Sequence, residues 1–194
     1  MHGVRVRKTN DCIDTERLLL RPLSISDVEQ IAKLGGDWDV ASMTSRMPYP
    51  YSVEAAVQWL DDHQADGELV RGITFDGELI GICGYLPDEG GTAEIGYWVG
   101  KPYWGQGFAT EAAKALIAHA FKTGPFHTLT CGHFTDNTAS RRVIEKLGFA
   151  YVGPCACWCE AQGREVAAIR YRLARPSLWQ RFQAHIETAF RRSL

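Results

Sequence analysis

Apolar positions along the chain switch between two periods, and the switches divide it into elements. TERLLLRPL (15–23) mixes apolar and charged residues in the manner of a strand with one buried wall and one wet edge. Val28, Ile31 and Leu34 then recur at helical spacing behind Ser26-Asp-Val-Glu29, a capping-box pattern. A loop with Gly35, Gly36, Pro48 and Pro50 follows. Ser52 stands where it can cap a second helix, with Val53, Ala56, Val57 and Leu60 on one face. Beyond it the period shortens to two. ELVRGITF and ELIGICGYL flank Asp76-Gly77, a hairpin signal, and Glu89-Gly90-Gly91 turns the chain into TAEIGYWVG (92–100). Three antiparallel strands are therefore predicted. A third helix is expected over 107–122, with Ala112, Ala113, Leu116, Ile117, Ala120 and Phe121 inward and Gly124-Pro125 as its stop. HTLTCGH (127–133) reads as a strand and 137–147 as a helix ending at Gly148. Two strands, 149–159 and 164–173, are joined by Gln162-Gly163. Pro176 opens a last amphipathic helix, with Leu178, Phe182, Ile186 and Phe190 at helical spacing. The sum is a mixed α/β (α+β) fold: a largely antiparallel sheet flanked by helices, with one strand–helix–strand crossover.

Size and charge narrow this picture. The 194 residues suit one domain with a real core, spanning 1–194. Lys plus Arg number 21 and Asp plus Glu 23, for a formal net charge of -2. That balance gives no reason to expect nucleic acid or an anionic membrane as a partner. No apolar run approaches the roughly 20 residues of a membrane span. MHGVRVRKTNDC lacks the apolar centre of a signal peptide, so a cytoplasmic protein with reduced cysteines is expected, as a monomer or homodimer.

Residues 103–112, YWGQGFATEA, carry the first chemistry. Gly105 and Gly107 stand one residue apart where a strand-like run hands over to a helix-like one. A helix N-terminus presents unpaired N–H groups and partial positive charge, and phosphates bind there without a lysine. Glycine lets the backbone come close because no Cβ intervenes. Gly105, Gln106, Gly107, Ala109 and Thr110 can donate N–H groups to a pyrophosphate, and Thr110 can add its hydroxyl. A turn that merely tolerates glycine is the other reading. A triphosphate loop would need Gly-Lys-Ser/Thr, and a dinucleotide fold a third glycine in a parallel unit; neither pattern is here.

Four stretches together resemble the GNAT acyltransferase superfamily, and within it the ribosomal-protein N-acetyltransferase-like (RimJ/RimL-type) branch. They are TERLLLRPLSISD, LIGICGY, AEIGYWVGKPYWGQGFATEA and NTASRRVIEKLGF (137–149), in family order over about residues 15–174. The segment 176–194 lies outside the match. The resemblance implies a GNAT fold, acetyl-CoA as donor and an amine as acceptor, such as a protein N-terminus. Trp104 stands where the broad family has Gln or Arg, as the branch often does. Ile144 stands where the broad family often has a Tyr that serves as general acid, so any proton donor must come from elsewhere.

Amide formation from a thioester needs a neutral amine, a stabilised oxyanion and a leaving thiolate. Free amines are mostly protonated near neutrality, with a pKa of about 8 for an α-amine, so a carboxylate base is worth about 10²–10⁴ in rate. Glu94, on the strand entering the glycine loop, is the candidate that the resemblance implies; a solvent-facing strand residue is the alternative. The resemblance places the oxyanion donor and the pantetheine contacts on the backbone of Tyr97, Trp98 and Val99. Ser140 is the implied proton donor or thiol partner, and otherwise an ordinary helix serine. Asn137 either bonds the pantetheine arm or caps the helix.

Cys155, Cys157 and Cys159 alternate along one strand. Their C-x-C-x-C spacing is not that of a zinc site, and one strand face spaces them about 7 Å apart, so pocket lining or core packing is expected and no metal. His119, His127 and His133 share no spacing. Trp38, Tyr49, Tyr51 and Trp59 lie in segments that shape the acceptor pocket in the family, and packing is their other role. Two further functions fit the residues. One is a non-catalytic acyl-CoA-binding module, permitted by Ile144. The other is an antibiotic- or polyamine-modifying enzyme recruited through Asp61, Asp62 and Asp66.

Overall fold

The computed structural model describes residues 12–63 and 68–176. Along them run β1 (Ile13–Asp14), β2 (Leu19–Arg21), α1 (Val28–Gly35), α2 (Trp38–Ala41), α3 (Val53–His63), β3 (Leu69–Phe75), β4 (Glu78–Asp88), β5 (Thr92–Val99), α4 (Phe108–Thr123), β6 (Thr128–Phe134), α5 (Thr138–Lys146), β7 (Ala150–Cys159) and β8 (Arg164–Ala174). The eight strands form one sheet in the order β1-β2-β3-β4-β5-β6-β8-β7. The fold is mixed α/β, as expected. Residues 177–194, where the sequence predicts a C-terminal helix, lie outside the described residues.

Asp76 and Gly77 take φ of 50 and 85°, the left-handed pair that a two-residue hairpin needs, and they set β3 against β4. β5 continues this meander, and every neighbouring pair is antiparallel except β5 with β6. That parallel pair requires a crossover, which α4 supplies. The β5–β6 ladder is short. It joins Thr92–Glu94 to Thr128–Thr130 and ends there. β5 keeps its β4 partner as far as Val99, and β6 keeps β8 as far as Phe134. The two halves of the sheet therefore part, and a gap opens in its middle just past Glu94.

Alternation along β5 sorts side chains between the two faces. Ala93, Ile95 and Val99 face α4 and join a core with Phe108, Ala112, Leu116, Ala120, Leu129 and Ile144. Burying each large aliphatic there contributes about 1.5–3 kcal/mol. Ile144 is 1% exposed, so its position is a packing site. The opposite face is covered by α1 and α3, where Val28, Ile31, Ala32, Ala56 and Leu60 meet Leu79 and Ile82.

Three local expectations need correction. TERLLLRPL is not one strand: Thr15 turns the chain, its N–H donating to the Leu18 carbonyl at 2.9 Å and its Oγ1 accepting from the Leu18 N–H at 2.8 Å. The cap before α1 lies at Ser24 and Asp27, not at Ser26 and Glu29. Asp27 accepts from the Ser24 N–H at 2.8 Å and forks to Arg21 at 2.7 and 2.9 Å, which makes the earlier carboxylate the better-anchored one. The loop after Gly36 contains α2, capped by Asp37, which accepts from the Asp39 N–H at 2.9 Å. Ser52 caps α3 as predicted, accepting from the Ala55 N–H at 3.1 Å.

Candidate functional site

The glycine loop delivers the N-terminus of α4. Gly105 and Gly107 have φ of 78 and 83°, a region where side chains are strained, so both positions call for glycine. A Cβ at Gly105 would meet nothing within 4 Å, and one at Gly107 only Arg17 Nη2 at 3.5 Å. The space above the loop is an open cradle. The first N–H groups of the 16-residue helix, among them Ala109 and Thr110, have no acceptor from a preceding turn.

Arg17 fixes this loop, and sequence reasoning gave it no role. Its Nε donates to Glu111 Oε2 at 2.8 Å, its backbone N–H to Oε1 at 2.7 Å, and its Nη1 to the Gln106 carbonyl at 3.1 Å. The guanidinium also lies 4.7 Å from the Phe108 ring centre. In a trans peptide the carbonyl and the next N–H point oppositely. Drawing the Gln106 carbonyl toward Arg17 therefore turns the Gly107 N–H away from it, toward the open side. Burial alone would raise the Glu111 pKa, but hydrogen bonds from Thr15 and Arg17 hold it below the ordinary carboxylate range. The only local signal for this clamp was an arginine on the turn before β2. Trp104 borders the cradle, 48% exposed, with its ring N–H donating to the Val99 carbonyl at 2.6 Å.

The gap lies between this cradle and the start of α5. Asn137 caps α5, its Oδ1 accepting from the Ser140 N–H at 2.9 Å. Ser140 is half-buried, and its Oγ lies 3.0 Å from the Tyr97 phenol oxygen. The sequence pointed to the backbone of Tyr97 and missed its side chain, which bridges β5 to α5. Past Glu94, the edge of β5 toward β6 has no ladder, so the backbone groups of Ile95, Tyr97 and Val99 face the gap, while the alternate residues turn theirs to β4.

Glu94 stands at the mouth of the gap on the other face. Its carboxylate is 46% exposed and pairs with Arg170 at 2.9 Å. It helps line a pocket of about 250 Å³ with Tyr51, Trp59, Trp98, Cys155, Cys157, Arg46 and Glu68. Arg46 and Glu68 form a second ion pair at 3.4 Å. Burial raises the Tyr51 phenol to about 12. Trp38 and Tyr49 instead stack edge to face on the surface, their centroids 4.9 Å apart. Cys155 and Cys157 line the pocket, and Cys159 is packed in the core with Phe134 and Val166. All six cysteines are free thiols. His133 is buried, with its Nε2 3.2 Å from the Tyr171 hydroxyl. Asp61 and Asp62 are exposed and outside the pocket lining; Asp66 falls outside the described residues.

Among the described residues no group of three or more His, Cys, Asp or Glu could hold a metal, and no helix is long and apolar enough to cross a membrane.

Residues 17–150 match the protein family described as an acetyltransferase (GNAT) domain. An uncharacterized N-acetyltransferase, p20 of Bacillus licheniformis, is 29% identical over 82% of this chain and 93% of its own length. The ribosomal-protein-serine acetyltransferase of Escherichia coli is 36% identical over 39% of this chain and 44% of its own. The solved structure of Mycobacterium smegmatis RimJ in complex with CoA-disulfide superposes with a TM-score of 0.76 at 21% identity, covering 85% of this chain and 88% of that one.

Proposed function

The chain belongs to the GNAT acetyltransferase family and is an acetyl-CoA-dependent N-acetyltransferase, and on that premise we propose that it acetylates a single primary amine at a protein or peptide N-terminus, by direct attack in a ternary complex. The observation that carries this reading is the gap past Glu94, which opens between the glycine cradle and the pocket. The cradle fits a pyrophosphate: two left-handed glycines without side chains, open space at Gly105, and the unpaired start of a long helix. Acetyl-CoA bound there supplies a thioester carbonyl as the electrophile. The residues around the gap do the rest. Glu94 accepts the proton of the incoming amine at a carboxylate oxygen, directly or through one water, while Arg170 holds that carboxylate in place. Backbone N–H groups of Tyr97 and Val99 support the developing oxyanion and the pantetheine arm, while Trp98, one step out of phase, turns its backbone to β4 beside Gly81. Ser140 serves the leaving sulfur.

The pocket also favours a monoamine over a polyamine or an aminoglycoside. The charged groups on its wall include two carboxylate–guanidinium pairs, Glu94 with Arg170 and Glu68 with Arg46. A polycation would meet a guanidinium beside each of those carboxylates. Aromatic and sulfur-bearing side chains fill much of the remaining wall, which suits an apolar side chain next to the amine. The alternative recruiters Asp61 and Asp62 point to solvent elsewhere.

A thiol-release assay over peptide N-termini, amino acids, polyamines and aminoglycosides tests the acceptor. Peptides with an apolar first residue should react best, and faster release with polycations would overturn the reading. Initial rates with both substrates varied should give intersecting reciprocal plots; parallel lines would replace direct attack by an acyl-enzyme.

A further inference from the structure

We propose that Tyr97 is a positioning residue for the leaving-group step, its phenol fixing the Ser140 hydroxyl so that the serine proton is presented to the departing sulfur of coenzyme A. The inference rests on the N-acetyltransferase reading above. Tyr97 lies three residues after Glu94, so strand alternation sends its side chain to the opposite face, toward α4 and α5. The base and this phenol thus flank the gap from its two sides. The phenol oxygen lies 3.0 Å from Ser140 Oγ and 3.5 Å from the Ser140 carbonyl oxygen. Ser140 is itself pinned by its backbone, because its N–H is held by Asn137 at 2.9 Å.

The proton count follows from these contacts. A neutral phenol has one proton to give, and both of its neighbours here belong to Ser140. Oγ is the closer, and 3.5 Å is near the limit of any hydrogen bond. Burial pushes the Tyr97 pKa up, so the phenol keeps its proton. With the phenol O–H directed into Oγ, the serine's own O–H turns outward, and a hydroxyl that accepts one hydrogen bond donates the next more strongly. No O–H bond breaks at either residue. The serine proton is held against the sulfur while the negative charge develops there. The ammonium proton passes to solvent by way of Glu94 before attack, and the second amine proton, lost as the adduct becomes an amide, rests on Glu94. Ile144, one turn further along α5, is packed in the core and brings no polar group to this step.

The test uses the full chain and free coenzyme A. Thiolate absorbance is followed against pH for the bound cofactor, in parallel with steady-state thiol release. The bound thiol should titrate below its value in solution. Tyr97→Phe and Ser140→Ala should each move it back, and the double variant should go no further than Ser140→Ala alone. Turnover should fall about tenfold in each single variant, and no further in the pair, with acetyl-CoA KM nearly unchanged; that fold-change corresponds to ~1.4 kcal/mol of barrier. Ser140→Ala alters a half-buried helix residue and so tests the contact even if Tyr97→Phe disturbs the core. A wild-type thiol that titrates as in solution overturns the inference, as do effects that multiply in the double variant. The titration needs no acceptor amine, so it judges the hydroxyl–sulfur contact separately from amine acetylation. A shifted thiol with no amine ever acetylated would sink the transfer reading instead.

Discussion

Glu94 is half-exposed and tied to Arg170, and that pairing makes two distinguishable substitutions. Glu94→Gln keeps the shape of the side chain and removes its capacity to accept a proton. Turnover should fall about 10²-fold near neutrality, with the loss shrinking as pH rises past about 8, where an α-amine deprotonates unaided. Acetyl-CoA affinity should hold, because the cradle is elsewhere. A flat, wild-type profile would remove Glu94 from the mechanism. Arg170→Ala leaves the carboxylate in place but frees it to swing, so it should raise the acceptor KM more than it lowers kcat; unchanged kinetics would deny Arg170 its orienting role. The resemblance pointed to Glu94 as a candidate. Local sequence could not name Arg170, which lies on β8 at the far end of the chain, because periodicity carries no information about partners so remote.

At the scale of elements, the glycine loop and the helix it starts make the most exposed prediction. Gly107→Val forces a β-branched side chain to φ 83° and presses it toward Arg17, distorting the proposed phosphate cradle, so acetyl-CoA affinity should drop at least tenfold, or ~1.4 kcal/mol, by calorimetry. Arg17→Lys keeps the charge but loses the fork to Glu111 and Gln106. It should weaken binding about as much as Arg17→Ala; full retention by lysine would show that charge, not loop geometry, matters. The same clamp gives a pH dependence. Glu111 and Asp27 both titrate below their ordinary values of 4.5 and 3.8 despite burial, because Thr15 and Arg17, and Arg21 and Ser24, stabilise the charged forms. A carboxyl lowered on folding adds stability above its unfolded pKa and loses it as pH falls through the folded one. Stability should therefore decline below about pH 4.5, and the acid limb should flatten in Asp27→Asn; an unchanged limb would remove that contribution. Most element boundaries were legible, since hairpin signals, helix stops and caps are local. The misplaced cap at Ser26 shows the limit: the Ser26–Glu29 spacing fits a capping box, but the bonds of Asp27 to Arg21 and Ser24 put the cap two residues earlier.

For the whole molecule, the parting of β5 and β6 was the feature sequence could not supply. Strand runs and the crossover helix announce a parallel pair, but how far two strands stay paired depends on what packs against each half. The long-range ties across the site, Arg17 to Glu111 and Tyr97 to Ser140, follow from that architecture and were invisible for the same reason. The short ladder of Thr92–Glu94 on Thr128–Thr130 has a thermodynamic consequence for the protein without its cosubstrate. A sheet joined across its centre by so few backbone pairs lacks rungs past Glu94, and on the proposed placement coenzyme A would supply them as a structural member. Binding to the folded state alone should raise stability by about 2.7 kcal/mol at a hundredfold excess over Kd. The gain should concentrate in slowed amide exchange at Ile95, Tyr97 and Val99 and in the first turn of α5, stiffening two half-sheets into one. Uniform slowing across the molecule, or none at those amides, would mean that the gap is filled without being spliced.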